Sequence, residues 1–281
     1  MFKSVMSRSM IAVLVLGSAG AAHSADLDNI IFAPELPRTV PVEVGNGWYL
    51  RGDVGYDFST DGSATSYRTF NTTTLVYDTQ NYATSDFDTD VSVGFGVGYQ
   101  LSDWFRAEGA LDYQNGTFSG SSFSGSQPCT NVNTATGCST AGSADFNAYG
   151  LMANGYVDLG TYVGFTPYVG AGAGYALMDY DSYNAQETCV DGGDLCGVGP
   201  ANVQHGGEQS WRFTYALMAG FSYEFMRNLK ADMGYRYVNI DGGDTYAFDS
   251  ASQTAGASGV QGTDNGFSRH EIKATLRYAL W

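Results

Sequence analysis

Few side chains of this sequence stand in the patterns that catalytic chemistry requires. Only two histidines, His205 and His270, lie beyond the first 24 residues. Neither belongs to a His-Glu-x-x-His run or follows a serine that it could activate as a nucleophile, so metalloprotease and acyl-hydrolase activities have no candidate residues. We therefore expect both histidines to be solvated rim residues and the protein not to be an enzyme.

Three aspartates alternate along one segment, Asp86, Asp88 and Asp90, so that all three can point the same way. Divalent cations prefer carboxylate ligands, but the run lacks the glycine and the closing glutamate of a calcium loop. Two interpretations stay open. The aspartates form a solvated acidic surface, or they hold a divalent cation.

The four cysteines fall into two close pairs, and each pair lies in its own polar segment. Four cysteines allow three connectivities, but this spacing favours disulfides from Cys129 to Cys138 and from Cys189 to Cys196 in an exported chain. The absence of Cys-x-x-Cys spacing argues against structural zinc. Each disulfide would stabilise its segment by roughly 2 to 3 kcal/mol in the chain-entropy model.

Glycines alternate in two runs, at positions 94, 96 and 98 and at positions 170, 172 and 174. Phosphate-binding loops are also rich in glycine, but these runs lack both the spacing and the strand-to-helix context of a nucleotide site. We therefore expect no cofactor. On the inner face of strands, such glycines would leave room for long side chains from other strands.

The elements that must position these residues are strands. From Gly47 onward apolar residues recur at every second position, which is the period of a strand with two different faces. The helical period is absent. Eight segments follow this pattern, and they begin near Trp48, Val91, Phe105, Leu151, Val169, Phe213, Leu229 and Ile272.

The connections between these segments alternate strictly between short and long. Residues 101–103, 160–164 and 226–228 make tight turns, whereas 58–89, 115–144, 181–209 and 241–266 are long and polar. Bacterial outer-membrane barrels sort their loops in this way, and soluble sandwiches do not. The sequence therefore predicts an all-β fold, an eight-stranded antiparallel up-and-down transmembrane β-barrel with short periplasmic turns and four long extracellular loops.

Charged residues collect at the inward positions of these strands, and positive and negative charges nearly cancel. An eight-stranded barrel is only wide enough for its own side chains, and isolated buried charges are costly, so we expect these groups to pair and plug the lumen. A narrow path past the glycines stays open as an alternative. The predicted network comprises Arg51, Asp53, Arg106, Glu108, Asp112, Asp158, Arg212, Glu224, Lys230, Asp232, Arg236, Arg269, Glu271, Lys273 and Arg277.

All four tryptophans lie near predicted strand ends. Aromatic residues collect at both interfaces of a membrane barrel. We expect Trp48, Trp104 and Trp281 at the periplasmic interface and Trp211 at the outer one. Only Trp48 and Trp211 keep the outward alternation of their strands.

The composition and the N-terminal segment narrow the classes of protein to which this chain can belong. The 281 residues include 13 Lys plus Arg against 29 Asp plus Glu, a net charge of −16, which excludes nucleic-acid binding through a general basic surface. Lys3 and Arg8 precede an apolar run at 10–16 and then small residues, the order of a secretory signal peptide. We predict a signal peptide over 1–24, a periplasmic N-terminal segment over 25–46 and the barrel over 47–281.

Three motifs carry a family resemblance: GWYLRGDVGY at 47–56, PYVGAGAGY at 167–175 and GYRY at 234–237. The chain resembles the small Gram-negative outer-membrane β-barrel family, often labelled porin-family or opacity-type surface proteins. The resemblance implies a structural protein that contributes to envelope integrity and surface interactions, with a narrow porin-like channel as the alternative. It also implies outer-membrane lipid, lipopolysaccharide and the barrel-assembly machinery as partners. Members usually end in an outward aromatic residue, whereas Trp281 is out of phase with Tyr278.

Overall fold

The computed structural model describes residues 47–124, 137–190 and 201–280. The predicted signal peptide (1–24), the 25–46 segment, Cys129, Cys196 and Trp281 lie outside these ranges. The described chain forms twelve antiparallel strands and one short helix. In chain order they are β1 (Trp48–Gly62), β2 (Ser66–Asn71), β3 (Val76–Asn81), β4 (Thr84–Gln100), β5 (Phe105–Ser124), β6 (Gly137–Asp158), β7 (Phe165–Tyr180), β8 (Tyr183–Val190), β9 (Ala201–Gly207), β10 (Gln209–Met226), β11 (Leu229–Asp249), α1 (Ser250–Thr254) and β12 (Val260–Ala279). In these ranges no helix is both long and apolar enough to cross a membrane.

Eight of the strands form a closed ring, called the eight-strand ring below. Strands β1, β4, β5, β6, β7, β10, β11 and β12 each pair antiparallel with the next, and β12 pairs back onto β1. These are the eight strands that the apolar alternation predicts. The prediction of an antiparallel all-β fold with eight principal strands is confirmed.

The two ends of the ring differ. At the turn end, short connections follow β4, β6 and β10, as predicted, and the turn after β6 contains Gly160 and Gly164 with φ of 96° and 82°. Glycine adopts this left-handed region without the steric cost that a side chain brings. At the opposite end, called the extended end, the strands run on well beyond the predicted segments.

The predicted long loops are therefore wrong for most of the described residues. Strand β5 continues to Ser124 and pairs with β6 from Cys138 onward, while β2, β3, β8 and β9 add further pairing at the extended end. Ser, Thr, Gly and Asn suggested loops, yet these residues still alternate with inward aromatics such as Phe118 and Phe146. A strand that keeps a hydrogen-bonding neighbour and a buried face needs no apolar outer face.

One wall of the ring is incomplete at the extended end. The β1–β4 ladder runs from Trp48↔Tyr99 to Tyr56↔Val91, and a bulge in β4 follows. Beyond it β1 pairs only with β12, and β4 only with β5, among the described residues. Three hydrogen bonds that involve side chains cross this gap. One joins the hydroxyls of Thr60 and Thr89 at 2.7 Å, one runs from the Ala64 amide to Ser85 Oγ at 2.8 Å, and one runs from Ser85 Oγ to the Ala64 carbonyl at 3.1 Å.

The ring buries its polar face and exposes its apolar face. Outward side chains such as Leu151, Leu217 and Val93 are about half exposed, while the inward side chains include buried arginines and carboxylates. Trp48, Trp104 and Trp211 are exposed at 58 %, 56 % and 65 %. An apolar outer wall with exposed tryptophans near its ends is the arrangement of a protein whose surroundings are apolar.

Candidate functional site

The interior of the ring holds a dense network of buried ion pairs. Near the turn end, Arg106 Nε lies 3.1 Å from Asp158 Oδ1, and Arg51 Nη1 lies 3.3 Å from Glu108 Oε2. The phenol of Tyr49 donates to Glu108 at 2.7 Å. These residues come from β1, β5 and β6, so the contacts reach across the interior instead of following one strand.

Arg277 belongs to the same group of ion pairs near the turn end, and two of its nitrogens contact the carboxylate of Asp232. Its Nε lies 2.6 Å from Asp232 Oδ2, and its Nη2 donates to Asp232 Oδ1 at 2.8 Å and to Ser222 Oγ at 2.7 Å. The Arg106 guanidinium also stacks over Tyr156, 4.3 Å from the ring centre. A planar guanidinium is suited to both contacts because it combines a two-point fork with a weakly hydrated face.

A second layer lies in the middle of the ring. Lys273 Nζ is 2.6 Å from Asp53 Oδ1 and 3.3 Å from Asp112 Oδ1, and Arg236 Nη2 is 2.7 Å from Asp112 Oδ2. Glu271 accepts from Ser92 Oγ at 2.5 Å. Asp112 therefore holds two cations at once, which reduces the cost of burying all three charges.

A third group of pairs lies toward the extended end. Arg269 Nη1 is 3.0 Å from Asp57 Oδ1, and Arg212 Nη1 is 2.8 Å from Asp264 Oδ2. Arg212 Nη2 also donates to the backbone carbonyl of Asp244 at 2.8 Å. The described part of the chain thus buries seven cationic and eight carboxylate side chains in one interior.

Thirteen of the fifteen residues predicted for this network are buried inside the ring. Glu224 and Lys230 are the exceptions: they pair with each other at 3.0 Å, but their side chains are 47 % and 39 % exposed. Alternation assigned them to the inward face correctly, but it carries no information on depth, and both lie where β10 turns into β11. Their assignment to the buried network is wrong.

The sequence reasoning missed two carboxylates, Asp57 and Asp264. Asp57 shares the inward parity of Arg51 and Asp53, so its place could have been predicted from β1. Asp264 fell in a segment predicted as a loop, because β12 was expected to begin later. Strict alternation from Arg269, five residues later, would place Asp264 on the outer face; Gly266, with φ of 89°, lies between them.

The alternating glycines accommodate these long side chains, as predicted. A methyl group at Gly96 would lie 2.6 Å from Arg51 Nε, and one at Gly94 would lie 2.7 Å from Asp112 Oδ1. At Gly98 it would overlap the ring of Tyr49. The glycines therefore give space to the charged network and do not line an open path.

Above the ion pairs, four phenylalanines close the interior. Phe87 stacks on Phe267 at 4.9 Å and contacts Phe118 and Phe146 at 5.0 and 6.1 Å between ring centres. All four rings are at most 2 % exposed. We call these four residues the phenylalanine plug.

Two small cavities remain within the described interior. Each has a volume of about 20 Å³, enough for a water molecule, and Arg236 lines both. Asn154, between Glu108 and Gly172 in the ladders, is buried, and neither of its amide atoms has a partner among the described residues. Each of these two cavities has room for an isolated water molecule.

The three aspartates of β4 and the two histidines lie outside the ion-pair network. Asp86, Asp88 and Asp90 are exposed on the outer face of β4, and no three His, Cys, Asp or Glu side chains among the described residues are grouped to hold a metal ion. His270 lies at the surface of the ring, and its Nδ1 is 2.6 Å from the hydroxyl oxygen of Tyr235. His205 is buried, so the prediction that it is a solvated residue is wrong.

The two described cysteines are directly opposite each other. Cys138 in β6 and Cys189 in β8 are register partners, and neither is a free thiol. Cys129 and Cys196 lie outside the described residues. The predicted connectivity therefore stays a prediction.

Comparisons with known proteins agree with this architecture. A family model described as "Outer membrane protein beta-barrel domain" matches residues 11–278. An uncharacterized protein of Brucella suis is 34 % identical over 287 residues, which cover 95 % of this chain and 97 % of that protein. A candidate adhesin of Rickettsia felis is 28 % identical over 202 residues, covering 70 % and 74 %.

Among solved structures, the outer-membrane protein OprG from Pseudomonas aeruginosa shares 14 % identity at a TM-score of 0.42, covering 84 % of this chain and 97 % of that one. The family assignment itself rests on the family model and on the Brucella relative, both of which extend over most of the chain. This chain belongs to the outer-membrane protein β-barrel family, and it is located in the outer membrane of a Gram-negative bacterium.

Proposed function

We propose that this protein is a non-conducting structural barrel that presents an ordered, acidic surface outside the cell. The observation that carries the proposal is the filled interior: ion pairs occupy the middle of the ring, and the phenylalanine plug lies above them. A pore for solutes needs a continuous aqueous path, and each of the two interior cavities has room only for a water molecule.

Conductance tests this proposal directly. The refolded protein, inserted in a planar lipid bilayer and verified by its migration on an unheated gel, is expected to give no stable unitary current. The variant Arg236→Ala is the matched comparison, because Arg236 lines both interior cavities. Reproducible unitary currents from the unmodified protein would contradict the plug.

A narrow conduit is the second candidate function. It is favoured by the two small cavities that Arg236 lines, and by the absence of hydrogen bonds from the Nε and Nη1 atoms of that residue among the described residues. Its Nη1 has only a long ion-pair contact of 3.8 Å to Glu271 Oε2. Side-chain movement at this one position would join the cavities, although the phenylalanine plug would still close the extended end. Currents in Arg236→Ala alone would identify this residue as the inner barrier.

The extended end is proposed to face the outside of the cell and the turn end the periplasm. Barrels of bacterial outer membranes have short periplasmic turns and longer outer connections, and the ring has this asymmetry. Cysteine substitution separates the two ends. A membrane-impermeant maleimide should label Thr254→Cys in α1 on intact cells, whereas Asp103→Cys, in the turn after β4, should react only after lysis.

Surface contact is the proposed role of the extended end. The Rickettsia relative is a candidate adhesin, and the acidic residues of this chain that are not in the network include the exposed Asp86, Asp88, Asp90, Asp145 and Asp181. Lipid and lipopolysaccharide would surround the apolar wall, and the barrel-assembly machinery would insert it. Nucleic acid is not an expected partner, because the exposed surface is acidic.

A further inference from the structure

His205 occupies an unusual position at the extended end. It lies on β9 and is only 7 % exposed. Its ring centre is 5.2 Å from that of Tyr246 on β11 and 6.0 Å from that of Tyr183 on β8. The two tyrosines stack on each other at 4.4 Å with an interplanar angle of 8°. The imidazole therefore forms part of an aromatic contact that joins three strands.

The surroundings of His205 suit a neutral imidazole. Its Nδ1 is buried and has no hydrogen-bond partner within the described ranges. The charged groups that face it are Asp249 at the end of β11 and Glu187 on β8, and Gln261 of β12 is a polar neighbour. Burial lowers the pKa of His205. The charges of Asp249 and Glu187 and the hydrogen bonds with the Ala247 backbone and the Gln261 side chain raise it, but they do not fully compensate.

Asp249 is already engaged elsewhere. Its carboxylate accepts from the amides of Ala251 and Ser252 at 2.9 and 3.0 Å and from Ser252 Oγ at 2.5 Å, which caps helix α1. Burial would raise the pKa of Asp249, but these hydrogen bonds outweigh it and lower the pKa. A protonated His205 would thus compete with α1 for this carboxylate.

Strand β9 is attached to β11 by few backbone pairs. Strand β9 pairs with β11 at only two positions, Gly207↔Tyr246 and His205↔Asp249, with a register shift between them. On its other side it pairs with β8 from Tyr183↔His205 to Glu187↔Ala201, and β8 is itself paired with β6. Disrupting the contact with β11 would leave β8 and the eight-strand ring in place.

We propose that His205 is an acid-sensitive clasp, whose protonation separates β9 from β11 and exposes the Tyr246 ring while the eight-strand ring stays closed. A histidine whose pKa is lowered by the closed state binds fewer protons there than when released. The clasp is therefore at full strength above the ordinary histidine pKa of about 6.5, and it weakens as the pH falls toward the lowered value.

Hydrogen exchange of the refolded full-length protein in detergent tests this, at pH 7.5 and 5.0, with rates corrected for the intrinsic effect of pH. The protection of amides in 201–207 should fall at pH 5.0 by a factor of up to about 30, the limit set by a released pKa near 6.5. The β5–β6 ladder should keep its protection. Equal protection of 201–207 at both pH values would overturn the proposal.

Two variants assign the effect. His205→Gln removes the titrating group, so the pH dependence in 201–207 should disappear. His270→Gln, at the partly exposed histidine of the ring, should respond like the unmodified protein. An unchanged response in His205→Gln overturns the proposal. If that variant does not fold, the NMR titration of the His205 ring in the unmodified protein decides, because a midpoint at or above 6.5 would contradict a clasp that favours the neutral form.

Discussion

Arg277 holds both carboxylate oxygens of Asp232, at 2.6 and 2.8 Å, inside the turn end of the ring. Removing one partner of a buried pair leaves an uncompensated charge and costs about 3 to 5 kcal/mol. We expect Asp232→Leu to lower the stability of the folded barrel by roughly this amount. The midpoint of urea unfolding, followed by migration on unheated gels, measures the change.

The exposed pair at the end of β10 and β11 supplies the control. Lys230 and Glu224 are 3.0 Å apart, but solvent reaches both side chains. Exposed pairs contribute about 0 to 1 kcal/mol, so Glu224→Leu should hardly shift the same midpoint. Equal losses in the two variants would show that burial is not what makes the Asp232 pair important.

Gly174 is expected to be essential for assembly, because a methyl group there would overlap the carbonyl oxygen of Leu151 on the neighbouring strand. Backbone cannot move aside as a flexible side chain can, so Gly174→Ala should reduce the folded fraction severely. Gly155, on β6, has no atom within 4 Å of the same position, and Gly155→Ala should assemble normally. Equal refolding yields of the two variants would contradict the expected clash between a side chain at position 174 and the Leu151 carbonyl.

Phe87 should be the most sensitive residue of the extended end. Its ring is 2 % exposed and contacts the three other members of the phenylalanine plug. Truncating a buried phenylalanine costs about 3 to 5 kcal/mol, so Phe87→Ala should make the extended end sensitive to protease. Phe123→Ala is the control, because that ring is 56 % exposed. Similar cleavage rates in both variants would argue against the plug as the local core.

The disulfide connectivity can be read from peptides cut without reduction. We expect the pairs Cys129 to Cys138 and Cys189 to Cys196, with no thiol reactive in the unreduced, denatured protein. Cys138 and Cys189 are register partners, so the two disulfides would start from neighbouring positions on β6 and β8. A peptide that joins Cys138 to Cys189 would replace this connectivity with a single bridge between the strands.

The alternation of side chains predicted most of the fold. Val93, Leu151 and Leu217 face outward, and Arg51 and Arg277 face inward, as their positions in the strand pattern require. The reason is physical: a side-chain period of two assigns every residue of a strand to one face once a single residue is placed. The eight-strand ring and thirteen residues of its buried ion-pair network could therefore be predicted from the sequence.

The pattern failed where composition and depth matter. The Ser- and Gly-rich ends of β5 and β6 were taken for loops, although Phe118 and Phe146 mark their buried face. Parity placed Glu224 in the interior without revealing that solvent reaches that end of the strand. His205 is buried because β8, β9 and β11 meet around it, and contacts of that kind between separate segments have no signature in local sequence.

The incomplete wall between β1 and β4 has a consequence for the order of unfolding. A closed ring has no first strand to peel away, since every strand is bound on both sides. Here three hydrogen bonds that involve side chains, one between Thr60 and Thr89 and two between Ala64 and Ser85, replace a ladder between the outer parts of β1 and β4. We expect the barrel to fray from this corner first, so that its kinetic lifetime depends on a few hydroxyl groups more than on the many charges inside.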